Sequence, residues 1–232
     1  MRKVYKLAAV TARPDGGYGI ALDGKVLRTP ARHEYALPTM TLANAIAAEW
    51  NAQDRDIVPA TMPLTTLAAT AIDRVPHLRD KTIDEAAAYG ATDLLCYRVA
   101  EPIELVERQA ATWDPLLDWL LRRYDVRLAI TDTIHAVTQD AAALARLRAA
   151  LAATDNFQLA ALHALTGATG SLVIALALFE GELDASAAFA ASQIEELFQL
   201  ERWGSDVEAE KRRDGLAVDI AASKRFLDLL RP

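Results

Sequence analysis

Residues 18–38 read YGIALDGKVLRTPARHEYALP, and this stretch decides the fold class. The segments YGIAL, KVLRT and HEYAL are short and rich in apolar residues, which is typical of strands. Asp23-Gly24 separates the first two segments, and this dipeptide favours the two-residue turn of a β-hairpin. The β-compatible run VYKLAAVTA at residues 4–12 precedes them, joined by turn residues at 14–17. Together these segments predict an antiparallel meander.

Downstream of the meander the apolar pattern becomes helical. Leu42, Ile46 and Trp50 recur every fourth residue, and Thr39 or Thr41 is placed to cap the start of that helix. We therefore predict an α+β protein, with a small antiparallel strand-rich N-terminal domain followed by a larger all-helical C-terminal domain. The change of pattern places the first domain at residues 1–70 and the second at residues 71–232.

Capping residues set the expected bounds of the later helices. Thr82 to Glu85 form a capping box, so a helix is expected to begin there. Asp114-Pro115 is expected to divide two helices, since Pro favours the first turn. Helices are predicted at 103–112, 115–124, 140–153, 155–165, 171–180, 184–203 and part of 216–230.

Composition excludes several classes of protein. The 232 residues carry a net charge of −7 without a basic cluster, so no nucleic-acid partner is predicted. Residues 159–179 lack formal charge and approach the length of a membrane span, but Gly167 and Gly170 interrupt them. Two buried helices joined by a glycine turn are the better interpretation. A membrane-associated assembly factor nevertheless stays open as an alternative, although stable insertion is not expected.

Motifs that carry chemistry are missing from the sequence. Gly24-Lys25 is followed by Val26 and not by Ser or Thr, so hairpin turns explain the glycines better than a phosphate loop. The four histidines are scattered, and Cys96 lies in an apolar run that is typical of a packed thiol. No catalytic residue, metal or cofactor is predicted. An enzyme whose site gathers distant residues stays open as the other alternative.

Residues 192–204, SQIEELFQLERWG, have two apolar stripes when wound as a helix. The first stripe comprises Ile194, Leu197 and Phe198. The second comprises Leu200 and Trp203, with Phe189 one turn earlier and Glu196 among them. One stripe is expected to pack on the core of the protein. The other stripe then has no core contact and is available to bind something else.

Six ordered blocks of this sequence resemble the Atp-twelve family, assembly chaperones for the F-one sector of ATP synthase. The blocks are LDGKVLRTPARHEYALP, LANAIAAEWNAQ, MPLTTLAATAIDRV, YGATDLLCYR, QAATWDPLLDW and IEELFQLERWG. The resemblance implies a non-enzymatic protein that binds the unassembled alpha subunit and yields it to the beta subunit. It also implies that Glu195 is the family's functional acid and that Trp50 is the tryptophan of its EWxxQ block.

The stripe and the resemblance together predict a partner-binding surface. We expect Phe189, Leu200 and Trp203 to face the client, bordered by Glu195, Glu196 and Gln199, with Trp50 as a further binding residue. A structural salt bridge from Glu195 to a neighbouring helix stays open as the alternative for that residue. A monomer in the bacterial cytoplasm is expected, or the mitochondrial matrix if the chain is a processed eukaryotic one.

Overall fold

The computed structural model describes residues 2–133, 135–204 and 206–231, and it confirms the α+β class. Three strands come first: β1 Ala8–Ala12, β2 Tyr18–Leu22 and β3 Lys25–Val26. The helices of the described ranges follow in this order: α1 Met40–Asn51, α2 Pro63–Asp73, α3 Val75–Ala88, α4 Ile103–Tyr124, α5 Ala141–Ala152, α6 Asn156–Thr169, α7 Leu172–Glu180, α8 Ala185–Ser192, α9 Ile194–Trp203 and α10 Val207–Leu229. A small sheet therefore precedes a much larger helical part.

The sheet is the predicted antiparallel meander, in the order β1-β2-β3. Strand β1 pairs with β2 from Ala8 opposite Leu22 to Ala12 opposite Tyr18. The turn between β2 and β3 is made by Asp23 and Gly24, with φ angles of 47° and 81°. Both angles are left-handed, as the hairpin turn predicted from this dipeptide requires.

The predicted third and fourth strands are shorter than expected. Strand β3 stops at Val26, and the HEYAL segment forms only isolated bridges, from Leu37 to Tyr18 and from Glu34 to Arg28. The two segments are joined by a loop in which Pro30 has no N–H to donate and Arg32 has a φ of +70°. The prediction of a full strand at KVLRT is therefore wrong, and the possible fourth strand at HEYAL is reduced to these bridges.

Contacts between Cα atoms divide the chain into two compact units. The first unit comprises Met1–Arg79, Asp155–Ala161 and Arg225–Pro232. The second unit comprises Asp80–Thr154 and Leu162–Lys224. The predicted domain boundary after residue 70 stays a prediction, since compactness alone does not test independent folding.

In the first unit, α1 packs on the sheet as its periodicity predicts. Leu42 and Ile46 are fully buried, and Trp50 is 8% exposed. The Thr39 hydroxyl caps α1 by accepting a hydrogen bond from the Leu42 amide at 3.2 Å. Because this bond satisfies an otherwise unpaired amide, the cap helps to fix where the helix begins.

The second unit is built around α7, the most apolar helix. Every residue from Leu172 to Leu178 is buried, and Ser171 caps the helix by accepting from the Ile174 amide at 3.0 Å. Gly170, at a φ of +68°, separates α6 from α7, so the uncharged stretch 159–179 is two helices, as predicted. Among the described residues, none of the helices combines the length and the apolar character that crossing a membrane requires.

Two predicted helix boundaries are wrong. Helix α4 continues through Pro115, because Trp113, Leu116 and Leu120 form one buried stripe across it. Burying such side chains stabilises a helix by about 1.5–3 kcal/mol each, which offsets the ~3 kcal/mol cost of an internal proline. Thr82 lies inside α3, so its capping box does not begin a helix.

A buried carboxylate joins α7 to the loop before α4. Asp93 is inaccessible to solvent and accepts hydrogen bonds from the Ser171 hydroxyl at 2.7 Å and the Val173 amide at 3.1 Å. The amide of Leu95 contributes a third bond at 3.2 Å. Burial raises the pKa of Asp93 from 3.8 to about 6, and these hydrogen bonds oppose the rise without cancelling it.

This raised pKa makes stability depend on pH. The folded state binds the Asp93 proton more tightly than the unfolded chain does. The protonated side chain therefore adds to the free energy of unfolding, fully below pH 3.8, and this contribution is lost as pH rises through about 6. Relative to Asp93→Asn, the wild-type free energy of unfolding should fall by about 2 kcal/mol between pH 4 and pH 7. Urea denaturation at several pH values measures this difference, with exposed Asp118→Asn as control. A difference that stays constant with pH would contradict the assignment.

Candidate functional site

The acid of the EWNAQ block, Glu49, holds the start of α2. Its carboxylate accepts hydrogen bonds from the amides of Leu64 and Thr65, both at 2.8 Å, and from the Thr65 hydroxyl at 2.6 Å. These amides belong to the first turn of α2, where backbone N–H groups lack partners within the helix. Glu49 therefore acts as a helix cap contributed from another helix.

The glutamine of the same block fixes the segment before α2. The Gln53 side chain accepts from the Val58 amide at 2.8 Å and donates to the Thr61 hydroxyl at 3.1 Å. Glu49 and Gln53 are thus occupied by structural bonds. The tryptophan between them, Trp50, does not use its side-chain donor in this way.

Trp50 is buried, but its indole N–H has no acceptor among the described residues. Its ring packs against Tyr5 with centroids 5.7 Å apart, and the Tyr5 hydroxyl donates to the Trp50 carbonyl at 2.6 Å. The predicted role of Trp50 in partner binding stays a prediction. The structure adds that this residue carries an unused hydrogen-bond donor.

The QAATWDP and IEELFQLERWG blocks pack against each other in the second unit. The Gln109 side chain accepts from the Val99 amide at 2.9 Å and donates to Glu195 at 2.9 Å. The Trp113 indole N–H donates to the Ala191 carbonyl at 2.8 Å. Two side chains of α4 therefore fix the position of α8 and α9.

The predicted continuous helix at 184–203 is broken at Gln193, and this prediction is therefore wrong. Gln193 has φ −119° and ψ 19°, outside the helical region, so α8 ends before it and α9 begins after it. The Ser192 hydroxyl donates to the Phe189 carbonyl at 2.8 Å, which competes with helix continuation at this point. Half-buried Phe189 therefore does not extend the outer stripe of α9 in helical phase.

The two faces of α9 itself differ as predicted. On the inner face, Ile194 is 8% exposed and Phe198 is 5% exposed. At the other side, Trp203 is 77% exposed and Leu200 is half-buried. We call the five residues that turn away from Ile194 and Phe198 the α9 surface: Glu195, Glu196, Gln199, Leu200 and Trp203.

The acids of the α9 surface have different partners. Glu195 is half-buried, and one carboxylate oxygen accepts the Gln109 bond, so its partner is an amide and not the cation of a salt bridge. Glu196 forms an ion pair with Arg212 of α10. Gln199 is exposed. The structural salt bridge left open for Glu195 is therefore not found among the described residues, since its partner is the uncharged amide of Gln109, whereas Glu196 has the cationic partner.

Arginines that sequence reasoning missed cover the inner side of α9. Arg108 makes a bidentate pair with Glu201, at 2.8 and 2.7 Å, which lowers the pKa of that carboxyl. The guanidinium groups of Arg108 and Arg202 lie 5.3 and 4.4 Å from the centroid of the Phe198 ring. No sequence motif marks Arg108, because its contacts with Glu201 and Phe198 join segments far apart in the chain.

The histidines do not gather at one place. His33 pairs with Asp73 at 2.9 Å in the first unit, and His163 pairs with Glu85 at 3.3 Å in the second. Within residues 2–133, 135–204 and 206–231, no three His, Cys, Asp or Glu side chains are grouped so that they could hold a metal ion.

The different surroundings of Trp113 and Trp203 predict different costs of the same substitution. Trp113→Phe leaves the buried Ala191 carbonyl without its donor and should lower the free energy of unfolding by about 1–3 kcal/mol. Trp203→Phe changes an exposed ring and should alter it by less than about 0.5 kcal/mol. Chemical denaturation of both variants measures the contrast. Equal losses would show that the Trp203 ring packs in solution.

The sequence and the fold were compared with those of known proteins. Residues 2–121 match the model of the family described as ATP12 chaperone protein. Protein atp12, mitochondrial, from Schizosaccharomyces pombe is 27% identical over 98% of this chain and 84% of its own length.

Solved structures extend the match to the fold. The crystal structure of Atp12 from Paracoccus denitrificans has a TM-score of 0.93 and 42% identity, covering 99% of this chain and 98% of that one. A proposed chaperone from Agrobacterium tumefaciens has a TM-score of 0.95 and 36% identity, covering 99% and 86%. The chain therefore belongs to the ATP12 chaperone family, the family of ATP synthase assembly chaperones that its sequence resembles.

Proposed function

We propose that this chaperone binds the unassembled alpha subunit of the ATP synthase F-one sector through the α9 surface and yields it to the beta subunit. Membership of the ATP12 family supports the class of function. The observation that carries the choice of surface is Trp203, a large aromatic residue left 77% exposed at the end of a helix whose other face is buried.

An unassembled subunit needs its future interface covered. Obligate interfaces are large and apolar, so an isolated subunit tends to self-associate through them. An exposed Trp supplies much of the contact energy that such a surface requires, because tryptophan is enriched among binding hot spots. Half-buried Leu200 adds apolar area beside it on the same helix. The α9 surface is thus suited to shielding an apolar patch.

Release requires an affinity below that of the final partner. The α9 surface lies on one short helix of 10 residues, and charged or amide side chains border its two apolar residues. A modest contact area with a polar border limits affinity, because polar groups lose hydration on binding. The beta subunit, with a larger interface, then displaces the chaperone by competition.

Glu195 is the acid best placed to recognise the client. Gln109 holds one of its oxygens, and the other has no hydrogen-bond partner among the described residues. A carboxylate held in one orientation loses little freedom on binding, so it is prepared to accept a bond from an arginine or backbone N–H. Glu196 is less available, since it already pairs with Arg212. In this proposal Phe189 supports the α8–α9 junction and does not touch the client.

We place the chaperone in the bacterial cytoplasm, acting as a monomer. The similarity to proteins from Paracoccus and Agrobacterium supports a bacterial setting, and the fission-yeast relative is described as mitochondrial. The net charge of −7 supports solubility of the free chain.

The proposed function predicts a client complex that depends on Trp203. Purified chain should suppress light scattering by isolated alpha subunit, and excess beta subunit should release it. Trp203→Ala should weaken alpha-subunit binding by ~2 kcal/mol or more, about 30-fold, without changing the melting temperature. Exposed Val218→Ala serves as the control for loss of apolar surface elsewhere. Unchanged affinity of the Trp203 variant would reject the α9 surface, and no binding by wild type would reject the client.

Two variants of Glu195 distinguish its structural role, the bond to Gln109, from its proposed role in binding the client. Glu195→Gln keeps an acceptor for Gln109 and should preserve stability, but it should weaken client binding because the charge is lost. Glu195→Lys should abolish binding and lose the Gln109 bond, at a cost of about 1 kcal/mol in unfolding free energy. Calorimetric titration and urea denaturation measure the two quantities. Exposed Glu182→Lys controls for the charge change, and normal binding by Glu195→Lys would exclude the residue from the interface.

A further inference from the structure

A pocket of about 460 Å³ lies in the second unit, with walls from α10, from the end of α6 and from the α8–α9 junction. We call it the Arg213 pocket and define it by six of its lining residues: Lys211, Arg212, Arg213, Gly215, Asp219 and Glu196. Its volume lies within the range of small-molecule binding sites.

Arg213 is nearly buried and yet has no partner. The residue is 9% exposed, and none of the described residues forms an ion pair or a hydrogen bond with its guanidinium group. It shares the inner side of α10 with half-buried Leu216 and buried Ile220, three and seven residues further on. No nitrogen of Arg213 is among the unpartnered polar atoms that are sealed from solvent, so the guanidinium group still reaches solvent. The pocket that Arg213 lines is therefore the open space next to its charge.

A nearly buried arginine without a partner favours an anionic occupant. Removal of a cation from water costs free energy, which an opposite charge with good hydrogen bonds offsets. Arginine does not avoid this cost by losing its proton, because its side chain stays charged in proteins. Its planar fork of N–H donors matches two oxygens of one carboxylate or phosphoryl group. Arg213 thus favours an oxyanion.

The cations beside Arg213 favour a phosphoryl group over a carboxylate. Lys211, Arg212 and Arg213 are consecutive, so at about 100° per residue Lys211 and Arg213 flank Arg212 around the helix. Arg212 is neutralised by its ion pair with Glu196, whereas exposed Lys211 has no anionic partner among the described residues. Two unpaired cations therefore line one pocket. A phosphoryl group brings nearly two negative charges and three acceptor oxygens, enough for both cations, and a carboxylate brings one charge.

The rest of the pocket leaves room for an uncharged part of the ligand. At Gly215 a Cβ atom would meet no atom outside the local helix backbone within 4 Å, so the wall is open at this position. Exposed Asp219 lies six residues beyond Arg213, about 9 Å along the helix axis, and its negative charge opposes an anion at that end. The anionic group is thereby confined to the end of the pocket that Lys211 and Arg213 line.

We propose that the Arg213 pocket binds the phosphoryl group of a small phosphomonoester or of free phosphate. The Arg213 fork donates to two phosphoryl oxygens, Lys211 pairs with the third, and any organic part extends across Gly215. Glu196 is the residue that the pocket shares with the α9 surface, and here it serves as the partner of Arg212. The phosphoryl site and the client proposed above therefore stand or fall independently.

Calorimetric titration with three anions tests the choice of ligand: glycerol 3-phosphate, orthophosphate and acetate, at constant ionic strength and about pH 7.5. Both phosphoryl compounds should bind, and acetate should bind at least about ten-fold more weakly, because it offers one charge to two cations. The tighter of the two phosphoryl compounds distinguishes a phosphomonoester from free phosphate as the ligand. A chain of net charge −7 repels anions in general, so binding reports the pocket. Failure of the wild type to bind either phosphoryl compound, or equal binding of acetate, overturns the proposal.

Loss of the Arg213 charge tests the role of this residue, with a matched control. Arg213→Met removes the fork and should weaken binding of both phosphoryl compounds at least about ten-fold. It should not lower the free energy of unfolding in urea, because no partner loses a bond. Exposed Arg122→Gln removes one positive charge outside the lining and should keep the affinity within about two-fold. Normal binding by Arg213→Met, or an equal loss in Arg122→Gln, overturns the proposal.

Gly215→Leu tests the pocket without removing a charge. Leucine favours a helix more than glycine does, so this variant should be at least as stable as the wild type. Its side chain fills the open space in the middle of the pocket, so binding of either phosphoryl compound should fall at least about ten-fold. Glu196→Gln releases Arg212 as a third unpaired cation and should tighten binding about three-fold. Unchanged affinity in Gly215→Leu overturns the proposal even where Arg213→Met does not fold.

Discussion

The side-chain amide of Gln109 is the contact on which the arrangement of the second unit depends. It accepts from the Val99 amide and donates to Glu195, so one buried residue joins the segment before α4, α4 itself and α9. The neighbouring bond from Trp113 to the Ala191 carbonyl fixes the end of α8 one turn further along. With α9 held on its inner side by these bonds, its outer end is free to present Trp203. The exposed aromatic residue is thus positioned by groups that do not touch it.

Other polar side chains also satisfy backbone amides of distant segments. Glu49 satisfies the first amides of α2, Asp93 satisfies those of α7, and Asp73 holds the loop after β3. Each is an acid whose carboxylate replaces bonds that a helix start or an irregular loop lacks. Charge-assisted bonds of this type are stronger than neutral ones, although at buried Asp93 the cost of desolvation exceeds what its bonds return. These acids serve the fold and are therefore poor candidates for recognition.

Features that depend on local chemistry could be predicted from the sequence, whereas features that depend on distant contacts could not. The Asp23-Gly24 turn, the Thr39 cap and the glycine break before α7 follow from conformational preferences of single residues, and the structure has all three. The break at Gln193 and the continuity of α4 through Pro115 were missed. At Pro115 the buried α4 side chains outweigh the proline, and at Gln193 the Ser192 hydroxyl bond acts together with the hold of α4 on the α8–α9 junction.

The candidate site shows the same division. Trp203 could be identified because a helix with two apolar faces must leave one of them without core contacts, and the exposure of the residue agrees with that reasoning. The partner of Glu195 could not be identified, because Gln109 lies 86 residues away and glutamine carries no charge to suggest a pairing. This difference matters for recognition. An acid paired with a cation would have its charge neutralised, whereas an acid oriented by a neutral amide keeps its full negative charge for a partner. The geometry that sequence reasoning could not supply is therefore what supports the proposed contact of Glu195 with a client.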